Sequence, residues 1–179
     1  MQQEHELEIH WRAFPLHPET PAEGKSLAEL FADTTVDVTQ MLSHLHQVAE
    51  SLGLPFGNRT MTYNSRLAQE LGLWAETQGS GPTFHMAAFH AYFAEGKNLA
   101  QRDVLLDLAE RAGLDPAKAA GILDTRAYRH AVDADWRLSR EKGVTAVPTF
   151  IVNGRSLTGA RPYSDLEAFV RNAPKPTIS

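Results

Sequence analysis

The sequence predicts an α/β protein in which a block of helices separates an N-terminal strand from a C-terminal β-hairpin. Residues 7–14 alternate apolar and polar side chains with a period of two, which is typical of a half-buried strand. Residues 25–142 carry apolar stripes with helical spacing. Residues 144–158 are rich in β-branched side chains and contain Asn153-Gly154, a strong signal for a hairpin turn.

The composition is that of a globular chain, with 42 % hydrophobic and 22 % charged residues among 179. The net charge of −5 argues against nucleic acid and against an anionic membrane surface as partners. No apolar run is long enough to span a bilayer. The polar start from Met1 to Glu6 lacks the pattern of a secretion signal, so we expect a cytoplasmic protein if Met1 is the natural start.

Local signals place several of the helices. Ser26 and Glu29 have the spacing of a capping box, and residues 164–167 form a second one. Asp115-Pro116 is typical of a helix start, with an N-cap followed by proline at the first helical position. Apolar stripes predict helices over 37–52, 83–95 and 125–142, with shorter helices between them. The helix over 83–95 is apolar around most of its girth, which predicts the buried centre of the helical cluster.

The chain contains no cysteine, which excludes a disulfide, a thiolate nucleophile, a Cys-ligated zinc and a dithiol centre among these residues. The eight histidines do not have the spacing of metal ligands. His44 and His46 point to different sides of one helix, and His85 and His90 are also poorly spaced. We therefore predict no metal site.

The paired carboxylates do not predict an acid–base site either. Asp103 with Asp107, and Asp133 with Asp135, fall in helical stretches among basic residues, which is typical of solvated helix faces. Glycine-rich phosphate loops and the G-x-S-x-G pattern of serine hydrolases are also absent from the sequence. No catalytic residue is identifiable from the residues alone.

Pro148 interrupts what otherwise reads as a core strand. Because proline has no N–H, it must stand at the beginning of the strand, which then covers Thr149 to Val152. Base rates for X–Pro bonds favour a trans bond at Val147-Pro148. A cis bond would expose the backbone groups of Val147, and such a free edge can pair with an extended peptide or a cofactor backbone.

These segments resemble the DsbA-like branch of the thioredoxin superfamily. Gly143-Val-Thr-Ala-Val-Pro-Thr-Phe-Ile-Val-Asn-Gly154 is similar to the cis-proline segment of that family, and residues 157–163 are similar to its turn into the last helix. Residues 9–16 resemble its second strand. Further similarities to the FrnE-like subgroup lie at residues 63–68, 84–96 and 131–135.

The resemblance implies a thioredoxin-like part formed by residues 1–24 and 143–179, with residues 25–142 as an inserted helical subdomain. It implies that Val147-Pro148 is a cis-proline bond and that Val147, Pro148 and Thr149 bind substrate. Members of the family are thiol-disulfide oxidoreductases that act on peptides or other thiols. The related 2-hydroxychromene-2-carboxylate isomerases and kappa-class glutathione transferases use glutathione, which is therefore the one cofactor that the resemblance allows.

The sequence departs from the family pattern at its beginning. The family has a strand and a helix carrying C-x-x-C before the strand that residues 7–14 resemble, so the sheet predicted here is incomplete. Three explanations are open: the native protein extends further N-terminally, residues 7–14 pair directly with the hairpin, or a second chain completes the sheet. Three functions remain open. The first is a thiol-disulfide oxidoreductase, although this chain of 179 residues would be inactive in dithiol exchange. The second is a glutathione-dependent isomerase or transferase, and the third is a non-catalytic module that binds peptides or dimerises through the exposed sheet edge.

Overall fold

The computed structural model describes residues 7–174, and the start at Met1 lies outside these residues. In chain order the elements are β1 (Lys25–Ser26), α1 (Leu27–Leu30), α2 (Val38–Ser51), β2 (Met61–Thr62), α3 (Arg66–Thr77), α4 (Gly81–Phe93), α5 (Arg102–Arg111), α6 (Pro116–Thr125), α7 (Arg129–Glu141), β3 (Thr149–Val152), β4 (Arg155–Thr158) and α8 (Tyr163–Arg171). Of the helices described, none has both the length and the apolar character needed to cross a bilayer.

The chain divides into two compact units, and the division falls within α7. One unit contains residues 17–133, and the other combines the segment up to residue 16 with the segment from residue 134 onward. The two units are defined by how densely residues contact each other. The predicted domain boundaries, between residues 24 and 25 and between residues 142 and 143, stay a prediction.

The core of the helical unit lies among α3, α4, α5 and α6. Its most completely buried large side chains are Phe84, Leu71, Leu105 and Leu108. The helix predicted over 83–95 is present as α4, but it is not buried all round: Met86 and Phe89 are 61 % and 44 % exposed. One face of α4 is packed, whereas Met86 and Phe89 on the opposite side are largely open.

Two of the three predicted helix starts are confirmed. Both hydrogen bonds of the Ser26–Glu29 capping box are present, and the Asp115 side chain accepts from the Ala117 N–H at the start of α6. The capping box predicted at residues 164–167 is wrong. Helix α8 begins at Tyr163, so the residues of that box lie inside the helix and not at its N-cap.

The predicted helix over 37–52 is α2, whose apolar stripe is only partly covered. Ala49 is its buried residue, whereas Leu45, Val48 and Leu52 are each more than a third exposed. An amphipathic pattern therefore predicted the helix correctly but did not establish that its apolar side is packed.

In the second unit, the strand predicted at residues 7–14 is wrong. These residues are not assigned to a strand, and the pairing with the hairpin does not form, because β3 and β4 make a two-stranded sheet by themselves. A strand forms only where a neighbouring strand pairs with its backbone groups. The alternation of apolar and polar residues does not show whether such a neighbour is present. The segment is instead held at Ala13, whose N–H donates to Asp135 Oδ2 at 2.9 Å.

The predicted hairpin is confirmed, with β3 and β4 antiparallel and Val152 opposite Arg155. Asn153 and Gly154 both have positive φ, at 48° and 83°. A two-residue turn with two positive φ values matches the twist of the strands, which explains the Asn-Gly pair at this position. A small antiparallel pair formed by β1 and β2, with Ser26 opposite Met61, was not predicted because each strand has only two residues.

A buried carboxylate ties the helical unit together. Glu70 on α3 is 1 % exposed, accepts from Arg66 Nε at 2.8 Å, and is bound by Arg126 through Nε at 2.8 Å and Nη2 at 2.7 Å. Burial by itself raises the pKa of the Glu70 carboxyl, but the hydrogen bonds and charges of Arg126 and Arg66 outweigh burial and hold its pKa below the ordinary value.

We predict that Glu70→Gln lowers the free energy of unfolding by about 3 kcal/mol at pH 7, because it removes the charge of the buried carboxylate that binds both Arg66 and Arg126. Arg66 keeps its ion pair with Asp133, so the loss falls mainly on the pair with Arg126. The matched control is Asp124→Asn, which breaks the solvent-exposed ion pair with Arg102 and should change stability little. Urea denaturation followed by circular dichroism measures both. Equal effects of the two substitutions would contradict the role given to Glu70.

The lowered pKa of Glu70 also predicts a pH dependence. A carboxyl whose pKa is lower in the folded state stabilises the fold fully above its unfolded pKa of about 4.3, and this contribution is lost as the pH falls through the folded value. The stability difference between the wild-type chain and Glu70→Gln should therefore shrink as the pH falls below about 4.3. A difference that stays constant from neutral pH to that acidic range would contradict this prediction.

Candidate functional site

The candidate site is the segment that leads from α7 into β3. After Glu141 the chain leaves the helix, and the Val144 N–H donates to the Ser139 carbonyl at 2.9 Å. The Val147–Pro148 peptide bond is cis, the geometry that the resemblance implies. Val147 is 46 % exposed and Pro148 is also exposed, so the segment lies at the surface.

Hydrogen bonds on one side hold this segment in place. The Gly159 N–H donates to the Pro148 carbonyl at 2.8 Å, which extends the pairing of the hairpin by one step beyond β3. The Thr149 hydroxyl donates to the Ala146 carbonyl at 2.7 Å and lies 3.2 Å from the Thr158 hydroxyl. These hydrogen bonds attach the site to β4 and to the loop that precedes it. None of them comes from the side of β3 that faces away from β4.

The register of the hairpin determines which backbone groups of β3 remain available. In an antiparallel pair, residues alternate between hydrogen-bonded and non-hydrogen-bonded positions. Since Pro148 bonds to Gly159, the bonded positions on β3 are Phe150 and Val152. The N–H and C=O groups of Thr149 and Ile151 consequently point away from β4, and within residues 7–174 they make no backbone hydrogen bond.

Apolar side chains flank this open edge on both faces of the strand. Phe150 and Ile151 are neighbours and so project to opposite faces, and they are 38 % and 42 % exposed. Together with Val147 they form what we call the β3 edge site, defined as residues 147–151. It offers unpaired backbone donors and acceptors between exposed apolar side chains.

Of the residues predicted from the resemblance, Val147, Pro148 and Thr149 are brought together in this site, and their binding of substrate stays a prediction. Ile151 was missed. The signal was present in the sequence, because Asn153-Gly154 fixes the register and alternation from that turn places Ile151 on the outer edge.

The predicted solvated face at Asp133 and Asp135 is wrong for Asp135. Its side chain is 6 % exposed, and its carboxylate accepts from the Ala13 N–H at 2.9 Å and from Arg12 Nη1 at 3.2 Å. Asp135 satisfies a backbone N–H of the segment that precedes it in its own unit, which is a structural role. Within the described range, no group of three or more histidine or carboxylate side chains converges as metal ligands would.

Known proteins are similar to this chain in sequence and in structure. The uncharacterized protein YwbO of Bacillus subtilis is 29 % identical over an alignment of 161 residues that covers 87 % of this chain and 76 % of the relative. A probable DsbA oxidoreductase from Streptomyces coelicolor superposes with a TM-score of 0.79 at 24 % identity, over 93 % of this chain and 77 % of that one.

A 2-hydroxychromene-2-carboxylate isomerase is also similar in structure, with a TM-score of 0.73 at 18 % identity over 95 % of this chain and 83 % of that one. At these identities the two solved structures establish the thioredoxin-like DsbA fold with its helical content, as the sequence predicted. The family of DSBA-like thioredoxin domains matches residues 1–171. The chain thus belongs to the family of DSBA-like thioredoxin domains.

Proposed function

We propose that this chain is the substrate-binding part of a DsbA-like thiol-disulfide oxidoreductase and that it binds an extended peptide along the β3 edge site. The observation that carries the proposal is the pair of outward-facing backbone positions, Thr149 and Ile151, on a strand whose second side pairs with no other strand within residues 7–174. An extended peptide would add a strand there, with its own backbone pairing to those groups.

The side chains around the edge support a preference for apolar peptides. Main-chain pairing supplies affinity regardless of sequence, whereas alternate side chains of the incoming strand meet the two faces of the sheet. Phe150 covers one face and Ile151 the other, and both retain exposed apolar surface. A bound strand with apolar side chains would remove that surface from water, which is favourable by about 25 cal/mol per Å².

A glutathione-dependent isomerase or transferase is the second candidate, and the cysteine count favours it. None of the 179 residues is a cysteine, and glutathione is a tripeptide that carries its own thiol. Its backbone could pair with the same edge groups. This candidate and peptide binding therefore compete for one surface and differ in the ligand.

We predict that Ile151→Pro weakens binding of a fluorescein-labelled, S-carboxymethylated insulin B chain by about tenfold in fluorescence anisotropy, because it removes an outward N–H from the edge. The fold should tolerate it, since that N–H is not part of the β3–β4 ladder. Ser156→Pro is the matched control, because Ser156 stands directly opposite on β4 and its N–H faces the other edge. Ile151→Ala separates the loss of the side chain from the loss of the N–H.

Equal affinities of Ile151→Pro and Ser156→Pro, or binding too weak to detect in the wild-type chain, would contradict peptide binding at this edge. Circular dichroism of each variant shows whether the hairpin substitutions leave the fold intact.

We also predict that the 179-residue chain does not reduce insulin with dithiothreitol above the rate without protein, because it holds no cysteine to form the mixed disulfide. Thioredoxin is the positive control. A rate above the background would overturn the assignment of this chain to substrate binding alone.

The glutathione candidate is tested by thermal unfolding with millimolar reduced glutathione. A rise in melting temperature that Ile151→Pro abolishes and Ser156→Pro does not would favour it over the peptide proposal. No shift in the wild-type chain would contradict it.

A further inference from the structure

Arg59 in the helical unit has an unusual environment. Its guanidinium lies over the ring of Tyr92, 4.7 Å from the ring centroid, and 5.3 Å from the centroid of Phe93. Both distances are within the range of cation–π attraction. The Arg59 side chain makes no hydrogen bond or ion pair with the rest of the described chain, and its Nε is buried without a partner.

A second stacked arginine shows what is different about Arg59. Arg155, in the other unit, lies 5.6 Å from the ring centroid of Phe169 and donates from Nη1 to the Asn172 carbonyl at 2.7 Å. Stacking on a ring is thus compatible with a satisfied guanidinium in this fold. Buried donors are almost always paired in proteins, so the unpaired Nε of Arg59 calls for a physical reason.

The position of Arg59 is fixed by the loop before β2. The Gly57 N–H donates to the Phe93 carbonyl at 2.9 Å, and the Arg59 N–H donates to the Gly57 carbonyl at 3.0 Å. A Cβ at Gly57 would overlap the Ala94 carbonyl oxygen, so only glycine allows this contact with the end of α4. The loop therefore docks on α4 and carries Arg59 onto the two rings.

The rings are fixed as well. The Tyr92 hydroxyl lies 2.9 Å from the Thr62 hydroxyl, and Phe93 stacks on Phe56 with centroids 6.1 Å apart. Phe89 lies next to Phe93, with centroids 6.4 Å apart, and is 44 % exposed. We call this set the arginine–aromatic cluster: Phe56, Arg59, Phe89, Tyr92 and Phe93.

Only Nε of Arg59 is both buried and unpaired, so the two Nη atoms, which also lack partners, reach the surface. A planar guanidinium with free Nη atoms binds a carboxylate through two parallel hydrogen bonds. Because the rings already hold the side chain, little rotamer freedom is lost when an anion binds. The exposed ring of Phe89 offers an apolar surface in the same cluster.

We propose that the arginine–aromatic cluster is a binding site for a carboxylate borne by an apolar group, with Arg59 as the anion-binding residue and Phe89 as part of the apolar wall. Such a group occurs in a free apolar acid and at the end of a peptide with an apolar last residue. This site belongs to the helical unit and is independent of the β3 edge site.

The test is a titration of the full chain, labelled with ¹⁵N, with N-acetylphenylalanine as a peptide-end probe and 3-phenylpropionate as a free-acid probe. Both should shift the Arg59 Nε–H resonance and the amide resonances of Gly57 and Arg59. The corresponding amides, N-acetylphenylalaninamide and 3-phenylpropionamide, should bind at least about tenfold more weakly because they lack the charge. Tighter binding of N-acetylphenylalanine would identify the end of a peptide as the ligand, and tighter binding of 3-phenylpropionate would identify a free acid.

Arg59→Gln should weaken binding of the preferred acid by at least about tenfold, whereas the matched control Arg155→Gln should leave it unchanged. Arg59→Lys keeps the charge and the position over the rings, so it tests the paired hydrogen bonds even if Arg59→Gln is misfolded, and it should bind several-fold more weakly. Equal binding of acid and amide, unchanged affinity in Arg59→Lys, or no shift at millimolar acid would overturn the proposal. Inorganic phosphate binding as tightly as the acids would also overturn it, because the apolar wall would then contribute nothing.

Discussion

The backbone pairing between β3 and β4 is the constraint on which the candidate site depends. Two strands satisfy each other on one side only, so half of the backbone groups of β3 turn toward β4 and the other half away. The hydrogen bond from the Gly159 N–H to the Pro148 carbonyl determines which residues of β3 face β4 and which face away. Once it is set, Thr149 and Ile151 are the positions that can pair with something else.

Edge strands with exposed apolar residues usually associate with another strand unless charge or coverage prevents it. Residues 149–152 of this chain, Thr-Phe-Ile-Val, contain no charged side chain and no proline within the strand. Such an edge promotes aggregation in a protein that does not use it, whereas a protein that recognises extended chains can bind them there. The exposed apolar side chains at Val147 and Ile151 fit the second interpretation.

The sequence predicted best what is decided locally. The capping box at Ser26, the N-cap at Asp115 and the turn at Asn153-Gly154 all depend on residues within a few positions of each other, and all are present. The capping box at residues 164–167 is the local signal that failed, because α8 already begins at Tyr163. The strand predicted at residues 7–14 failed because pairing requires a neighbour far along the chain, which periodicity does not report.

The local sequence pattern also could not predict which charged side chains are buried. Asp135 has the sequence neighbours of a surface helix, yet it is buried, and its carboxylate accepts from the backbone N–H of Ala13, more than a hundred residues away in the chain. The environment of Arg59 likewise depends on the contact between Gly57 and Phe93. Of the candidate site, the resemblance supplied residues 147–149, and the register of the hairpin supplied Ile151.

Hydrogen exchange of individual amides in β3, recorded by NMR with and without the labelled insulin B chain peptide, reports on the open edge itself. In the free chain the N–H groups of Phe150 and Val152 should exchange slowly, because they bond to β4, whereas those of Thr149 and Ile151 should exchange rapidly. Addition of the peptide should slow exchange at Thr149 and Ile151 and leave Phe150 and Val152 unchanged. Rapid exchange at Thr149 and Ile151 with saturating peptide, or slow exchange there without it, would show that β3 does not present a free edge that binds peptides.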